Sequence, residues 1–316
     1  MGPREVALLT ACILALSVFT SCSPYFFTGG NFATIARNSV ELMVIGLGMT
    51  LVLAIGGIDI SLGAAMGVSA FFVGRSIELG FSPILIVMVG PLAGSVMGGV
   101  SAFTIIAGRI PPIIATLGLF GIYRALIFFL LGGRWLSGLE DVLGTVVKTS
   151  IFGVPLLSLQ ILALFLAGYV ILRRTPLGVA ILAIGGNEHS AHLAGIRIVR
   201  TKVFVYVTGG FLAGIAATYY VAQYRNVEMT VGGTVALDAI VAAVLGGATV
   251  LGGRVSLLGT ALGVILVRML QNGLLLIGVP SLWQQTIIGG LLISVLVIDA
   301  VTPQLKGRKP KAWQEA

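Results

Sequence analysis

Residues 40–74 read VELMVIGLGMTLVLAIGGIDISLGAAMGVSAFFVG: two apolar runs, Val40 to Ile55 and Leu62 to Gly74, joined by a Gly-Gly turn that carries one carboxylate, Asp59. Neither run alternates as a half-buried strand would, and both fall short of the roughly 20 residues a helix needs to cross a bilayer. Pieces of that length suit half-helices or re-entrant segments, because irregular backbone is tolerated at membrane depth only when neighbouring protein surrounds it. The same texture fills the chain of 316 residues: 57% are apolar and 9% charged. A soluble domain of this size would carry about a quarter charged residues. The expectation is an all-α integral membrane protein, a single polytopic unit over residues 1–316.

Ten apolar runs are candidate spans: Val6 to Cys22, Val40 to Ile55, Leu62 to Gly74, Pro83 to Ala107, Ile113 to Leu131, Leu156 to Leu172, Val203 to Val221, Val235 to Val250, Leu257 to Ile277 and Leu282 to Val301. With the amino terminus inside, Arg4, Arg109, Arg173, Arg174, Arg197, Arg200, Lys202, Arg254, Lys306, Arg308, Lys309 and Lys311 fall on the cytoplasmic side. Arg37, Arg75, Arg134, Lys148 and Arg225 fall outside. This asymmetry is the positive-inside pattern, and it places both termini in the cytoplasm. The basic tail 303–316 then serves as an orientation anchor, and the connection from Ser137 to Ser158 runs along the outer interface.

The 44 glycines fit close helix packing in lipid. The formal charge of +8 is scattered through short connections, without the basic, aromatic-bearing face that nucleic acid would require. Cys12 and Cys22 make neither a disulfide framework nor a metal site. Phe19-Thr20-Ser21-Cys22 loosely resembles a lipoprotein cleavage box, but Phe19 and the polytopic remainder favour an uncleaved first helix.

Charges inside a membrane are costly and each one needs a reason. They are Glu41, Asp59, Arg124, Asp238 and Arg268. Within Gly56, Gly57, Asp59, Ser61 and Gly63, the Gly-Gly turn ends one helical piece and the Asp59 carboxylate caps the next. Arg124 is expected to meet backbone carbonyls or to snorkel. No mid-membrane carboxylate has an evident partner in the sequence, which disfavours an ion-coupled carrier. There is no Gly-x4-Gly-Lys-Ser/Thr loop to cradle nucleotide phosphates, no Gly-x-Ser-x-Gly elbow and no His-Glu-x-x-His helix. His189 and His192 stand three apart and do not make a zinc-peptidase pair. An intramembrane enzyme therefore cannot be assembled, and neither cofactor nor metal is expected on this chain.

One polar, basic island interrupts the apolar chain, Arg173 to Lys202, RRTPLGVAILAIGGNEHSAHLAGIRIVRTK. Gly185-Gly186-Asn187 can turn the backbone, and Asn187 and Glu188 favour a helix start through capping and the dipole. Ala191, Ala194 and Gly195 permit close approach. A short helix lying across the membrane face as a docking surface follows. A weak internal repeat also pairs GGIDISLG (56–63) with GGRVSLLG (252–259), both near the cytoplasmic side and of like topology.

GMTLVLAIGGIDISLGA (48–64), RIPPIIATLG (109–118), AIGGNEHSAHLAGI (183–196) and LDAIVAAVLGGATVLGGRVSLLGTALG (237–263) resemble the sugar-type permease family of bacterial ABC importers, the group that includes the ribose permease. Residues 110–139 look most like subunits importing the furanose autoinducer-2 and related deoxysugars. The resemblance implies a second permease subunit, identical or homologous, two cytoplasmic ATPases that bind the ATP, and an extracytoplasmic solute-binding protein, all at the bacterial inner membrane. It maps the family's coupling loop onto Gly185, Gly186, Asn187, Ala191, Ala194 and Gly195. For a small polyol solute, Thr116, Gln271, Asn272, Trp283 and Gln284 are candidate pathway residues, with interhelical hydrogen bonding the alternative for Gln271 and Asn272. A stand-alone ion-coupled secondary transporter is the alternative function.

Overall fold

The computed structural model describes residues 3–144, 149–151, 154–280, 282–290 and 293–294. Eleven helices are bounded among them: α1 (Pro3–Cys22), α2 (Gly29–Ala54), α3 (Ser61–Glu78), α4 (Pro83–Ala107), α5 (Pro112–Leu131), α6 (Leu156–Arg174), α7 (Pro176–Gly186), α8 (Glu188–Leu193), α9 (Ile198–Tyr224), α10 (Val235–Leu245) and α11 (Leu257–Leu276). Residues 282–290 are also helical. Strand structure is confined to two short antiparallel pairings, β1 (Leu136–Ser137) with β4 (Asn226–Val227), and β2 (Ser150–Ile151) with β3 (Val154–Pro155).

Among the described residues, seven helices are long and apolar enough to cross a membrane: α1, α2, α4, α5, α6, α9 and α11. The nine apolar runs between Val6 and Ile277 each fall on one helix, with two revisions. The run beginning at Val40 is the second half of a helix that starts at Gly29, because Thr28 caps it by accepting from the Asn31 N–H. The run expected to reach Val250 stops at Leu245, where Gly246 and Gly247 turn the chain. Among the described residues the structure thus gives seven helices long and apolar enough to span, with α3, 18 residues long but less apolar, and the shorter α10 beside them. The tail 303–316, Lys148 and most of the second half of the last run lie outside the described residues.

Helix α2 forms the buried axis, with almost every side chain from Ser39 to Ala54 out of contact with solvent. Helix α9 packs along it and, on its other side, along α4. The α4–α9 seam is backbone against backbone. Gly90, Gly94 and Gly98 recur every fourth residue on α4 and face Gly210 and Gly214, also four apart, on α9. A Cβ placed on Gly94 would overlap the Gly210 carbonyl, and one on Gly214 would overlap the Gly90 carbonyl. Small residues at this spacing let helices approach closely where lipid supplies no hydrophobic drive between them. Helices α10 and α11 meet in the same way, through Gly246 on Gly259 and Ala242 on Gly263.

Contacts along the helices fix their directions. Asn31 lies beside Asn272, and Gly46 beside Thr260, so α2 and α11 are antiparallel. Ser256 donates to Glu5 while Phe19 lies on Gly273, so α1 runs parallel to α11. Glu5, the α2–α3 turn, the α7–α8 pair and the Gly252–Gly253 turn therefore share one end of the bundle. The β1–β4 pair and the Arg225 Nε–Leu139 O hydrogen bond (2.8 Å) close the opposite end. There Leu139 and Leu143 of the long connection fold inward and are buried.

The α4–α9 seam sets a test of opposite signs. Gly94→Ala is expected to destabilise the purified protein by about 1–3 kcal/mol, because the added methyl meets backbone that cannot yield. Gly99→Ala, on the same helix with open space at its Cβ position, should be neutral or stabilising by up to about 1 kcal/mol. Thermal unfolding in detergent checks both; equal effects would mean that the seam does not hold the bundle.

Candidate functional site

The α2–α3 turn is a built structure. Gly56 takes a left-handed φ of 76°, and a Cβ on Gly57 would strike the Tyr206 hydroxyl, so both positions require glycine. Asp59 is 0% exposed. Its Oδ1 accepts from the Ser61 N–H at 2.9 Å and from the Ser61 hydroxyl, and Ser61 Oγ lies 3.1 Å from Ser101 Oγ. The Thr116 hydroxyl spans the same turn, accepting from Ile60 N–H and donating to Ile58 O. Asp59 thus ties down the first residue of α3 from one position ahead of its N-cap, Ile60, and the buried Thr116 hydroxyl is engaged by the same turn.

Helix α3 begins inside the bundle. Leu62 packs on Gly209, near the middle of α9, and Gly63 lies on the Gly232 carbonyl just before α10. The two short helices thus point their amino ends towards each other in the interior, with Asp59 ahead of one and Asp238 in the first turn of the other. A carboxylate there offsets the positive end of the helix dipole. Arg124 donates to Val231 O at 3.3 Å, steadying the segment that leads into α10 and meeting the expected backbone partner.

Below the turn, three glycine segments meet. The Gly253 N–H donates to Ala54 O at 3.1 Å, and a Cβ on Gly185 would overlap that same carbonyl. A Cβ on Gly252 would press on both Gly56 and Gly185. The two repeat-matched turns, 56–63 and 252–259, therefore lie against each other with the end of α7 wedged beside them. The island itself is two helices, since Thr175 caps α7 ahead of Pro176. Asn187 caps α8, its Oδ1 accepting from the Ser190 N–H at 2.8 Å. Lys202 on α9 grips Glu188 at 2.7 Å. Gly195, at φ 79°, ends α8 while Ile196 N–H returns to Ala191 O. Ala191 is buried against its own chain, whereas Leu193, which the sequence reading passed over, is 74% exposed.

The remaining pathway candidates do not converge. Asn272 accepts from Asn31, Gln284 donates to its own Val279 O, and Trp283 points outward at 62% exposure. Gln271 bridges Arg268 (2.7 Å) and Asp238 (3.1 Å), the interhelical alternative. That bridge corrects the expectation of unpaired charges. Arg268 reaches Asp238 through Gln271, and the packing of α2 on α11 brings Glu41 to the same part of the bundle. Glu41, Asp238 and Arg268 lie far apart in sequence, and only the antiparallel packing of α2 on α11 makes them one cluster.

A bundle of membrane-length helices holding two inward-starting short helices, with a capped polar helix across one end, is a multi-pass membrane transport subunit. Residues 31–296 match the family described as the permease component of branched-chain amino acid transport systems, and the chain belongs to that family. It is 33% identical over 309 residues to the autoinducer 2 import system permease protein LsrC of Klebsiella pneumoniae, covering 98% of this chain and 90% of the relative. It is 33% identical over 279 residues to the ribose import permease protein RbsC of Bacillus subtilis, covering 88% and 87%. The corresponding ribose permease of Haemophilus influenzae is 30% identical over 292 residues, covering 91% and 90%.

The cap assigns Asp59 a testable role. Asp59→Asn keeps the accepting Oδ1 and should retain stability, whereas Asp59→Ala should lose about 1–2 kcal/mol by freeing the Ser61 donors. Thermal unfolding in detergent separates the two; equal losses would show that the charge, not the capping oxygen, is what matters.

Proposed function

We propose that this chain is the pore-forming permease subunit of a binding-protein-dependent ABC importer for a monosaccharide or similar small polyol, a ribose- or rhamnose-like sugar or autoinducer 2. The observation that carries the mechanism is the junction at which Gly185 of the α7–α8 island abuts Ala54 and Gly252. The solute class is supported by the ribose and autoinducer-2 permeases that match almost the whole chain. The family's general description names branched-chain amino acids instead, and a family heading spanning many solutes weighs less than full-length relatives.

In this reading the ATP is bound by two separate cytoplasmic ATPases, and no cofactor sits on this chain. A second permease subunit, identical or homologous, completes the pathway, and an extracytoplasmic protein delivers the solute. The chain crosses the bacterial cytoplasmic membrane about ten times, counting α3, α10 and the run from Leu282, with both termini inside. The basic residues gathered at the island end of the bundle support that orientation. The single polytopic unit 1–316 carries residues 173–202 as its coupling loop, with Gly185, Gly186, Asn187, Glu188, Ala191, Ala194 and Gly195 shaping it, and 303–316 as a cytoplasmic tail.

ATPase closure would press on exposed Leu193 and the α8 surface. The Glu188–Lys202 pair and the buried Ala191 carry that push to α9, and Gly185 carries it to the carboxyl end of α2. The seam joining α9 to α4 moves those helices together, exchanging inward-open for outward-open states. The turn 56–63, locked by Asp59, moves with α2. Thr116, Gln271 and Asn272 shape the pathway indirectly, by holding helices together.

The buried Glu41 and Asp238, with Arg268 on the neighbouring α11, favour a second reading, a stand-alone ion-coupled carrier, since they supply carboxylates within the helices. Uptake by this chain alone in liposomes, collapsed by a proton or sodium ionophore, would establish it.

For the importer, Leu193→Glu should leave membrane insertion intact and abolish solute-stimulated ATP hydrolysis in the reconstituted complex. Gly195→Val, forced into a left-handed backbone conformation, should do the same. Normal stimulation in both variants would remove α8 from the coupling path.

A further inference from the structure

At the end of the bundle opposite the island, polar groups form a column from the surface into the interior. Asn38 on α2 is exposed, and its Oδ1 accepts from the Tyr224 hydroxyl at 3.3 Å and from Gln223 Nε2 at 3.5 Å. The rings of Tyr220 and Tyr224 lie 4.8 Å apart, tilted by 45°. One turn of α2 further in stands Glu41, only 7% exposed, on a helix that packs both on α9, which carries the two tyrosines, and on α11, which carries Arg268.

The column is unfinished. Glu41 Oε1 and Arg268 Nε are buried and have no hydrogen-bond partner among the described residues, one an acceptor and the other a donor. Leaving such groups unsatisfied is costly, more so for charged ones. A carboxylate and a guanidinium on two helices that pack together can hydrogen-bond two hydroxyls of one polyol, and aromatic faces pack on the apolar face of a sugar ring. Exposed Asn38 lies nine residues past Gly29 (38 − 29), about 13 Å along the helix at 1.5 Å per residue. A polar group exposed there belongs in water or against a solute rather than in hydrocarbon.

We infer that Asn38, Glu41, Tyr220, Tyr224 and Arg268 form the permease's own solute station, which takes a neutral polyhydroxylated solute by paired hydrogen bonds from Glu41 and Arg268 after delivery from outside. The inference rests on the importer reading for the identity of the solute, but occupancy can be measured without import. Asn38→Cys is introduced with Cys12→Ala and Cys22→Ala, and the full importer is reconstituted in liposomes. Labelling by a membrane-impermeant maleimide is timed against increasing D-ribose, and separately against autoinducer 2.

The expected result is labelling that one of the two solutes slows in a saturable way. Glu41→Gln should move the protecting concentration up by about tenfold, the loss for one hydrogen bond to a charged group. Arg268→Lys serves as the second variant if Glu41→Gln does not assemble. No labelling, labelling that neither solute slows, or protection indifferent to both variants would overturn the station. Protection without solute-stimulated ATP hydrolysis would keep the station and overturn the importer reading.

Discussion

Backbone touching backbone at glycine is the constraint on which the rest of this structure depends. Lipid is as apolar as leucine, so helices gain nothing by hiding side chains from it and must gain from close approach instead. Here that approach binds α4 to α9 through Gly90, Gly94, Gly98, Gly210 and Gly214, α3 to the segment before α10 through Gly63 and Gly232, and α10 to α11 through Gly246 and Gly259. In the proposed importer it would also let the junction beneath the α2–α3 turn couple motion. Gly185, Gly252 and Gly56 interpose no flexible side chains between the island and α2, so displacement of α7 has no soft element to absorb it.

How much of this was legible depended on the range over which each feature is encoded. The helices were legible because apolar runs and Asn187 as a cap are local signals; the α8 cap stands where Asn187 called for it, and Asp59 holds the first N–H of α3 from one position ahead of its N-cap, Ile60. Length was less legible. The first half of α2 carries Asn31, Arg37 and Asn38, so its apolar run starts at Val40, while the helix starts where Thr28 caps it. The α7 helix was hidden within a stretch read as one polar island, although Thr175-Pro176 is a helix-start signal.

The site was legible only in part for a different reason. Thr116, Gln271 and Asn272 were chosen for chemical type, yet each is spent on holding backbone or a neighbouring helix. The cluster that remains chemically open draws one residue each from α2, α10 and α11. No spacing rule in a single sequence joins Glu41 to Arg268. Only the antiparallel lie of α2 on α11, itself set by Gly46 beside Thr260 and the Thr50–Thr260 hydroxyl contact at 2.8 Å, brings them together.

The two buried carboxylate sites differ in a way that divides their labour. Around Asp59 one carboxylate oxygen is held by Ser61 and the turn is closed by Thr116, while the other oxygen, like the Tyr206 hydroxyl, is buried without a hydrogen-bond partner among the described residues. Such a site fixes geometry. Around Arg268, Asp238 is held only through Gln271, and Glu41 Oε1 and Arg268 Nε are left without partners among the described residues on helices that pack together. Such a site is completed by something that arrives. Helix α2 carries a residue of each kind of function, Glu41 towards one end and Ala54 at the other, on an almost wholly buried rod. In the proposed importer, a push delivered at Ala54 by the island would reach the level of Glu41 as movement of the rod as a whole, because packing around it leaves little room to bend. Coupling between the ATPase end and the solute end then needs no relay of side chains, only a rigid helix held at both ends by partners that can exchange.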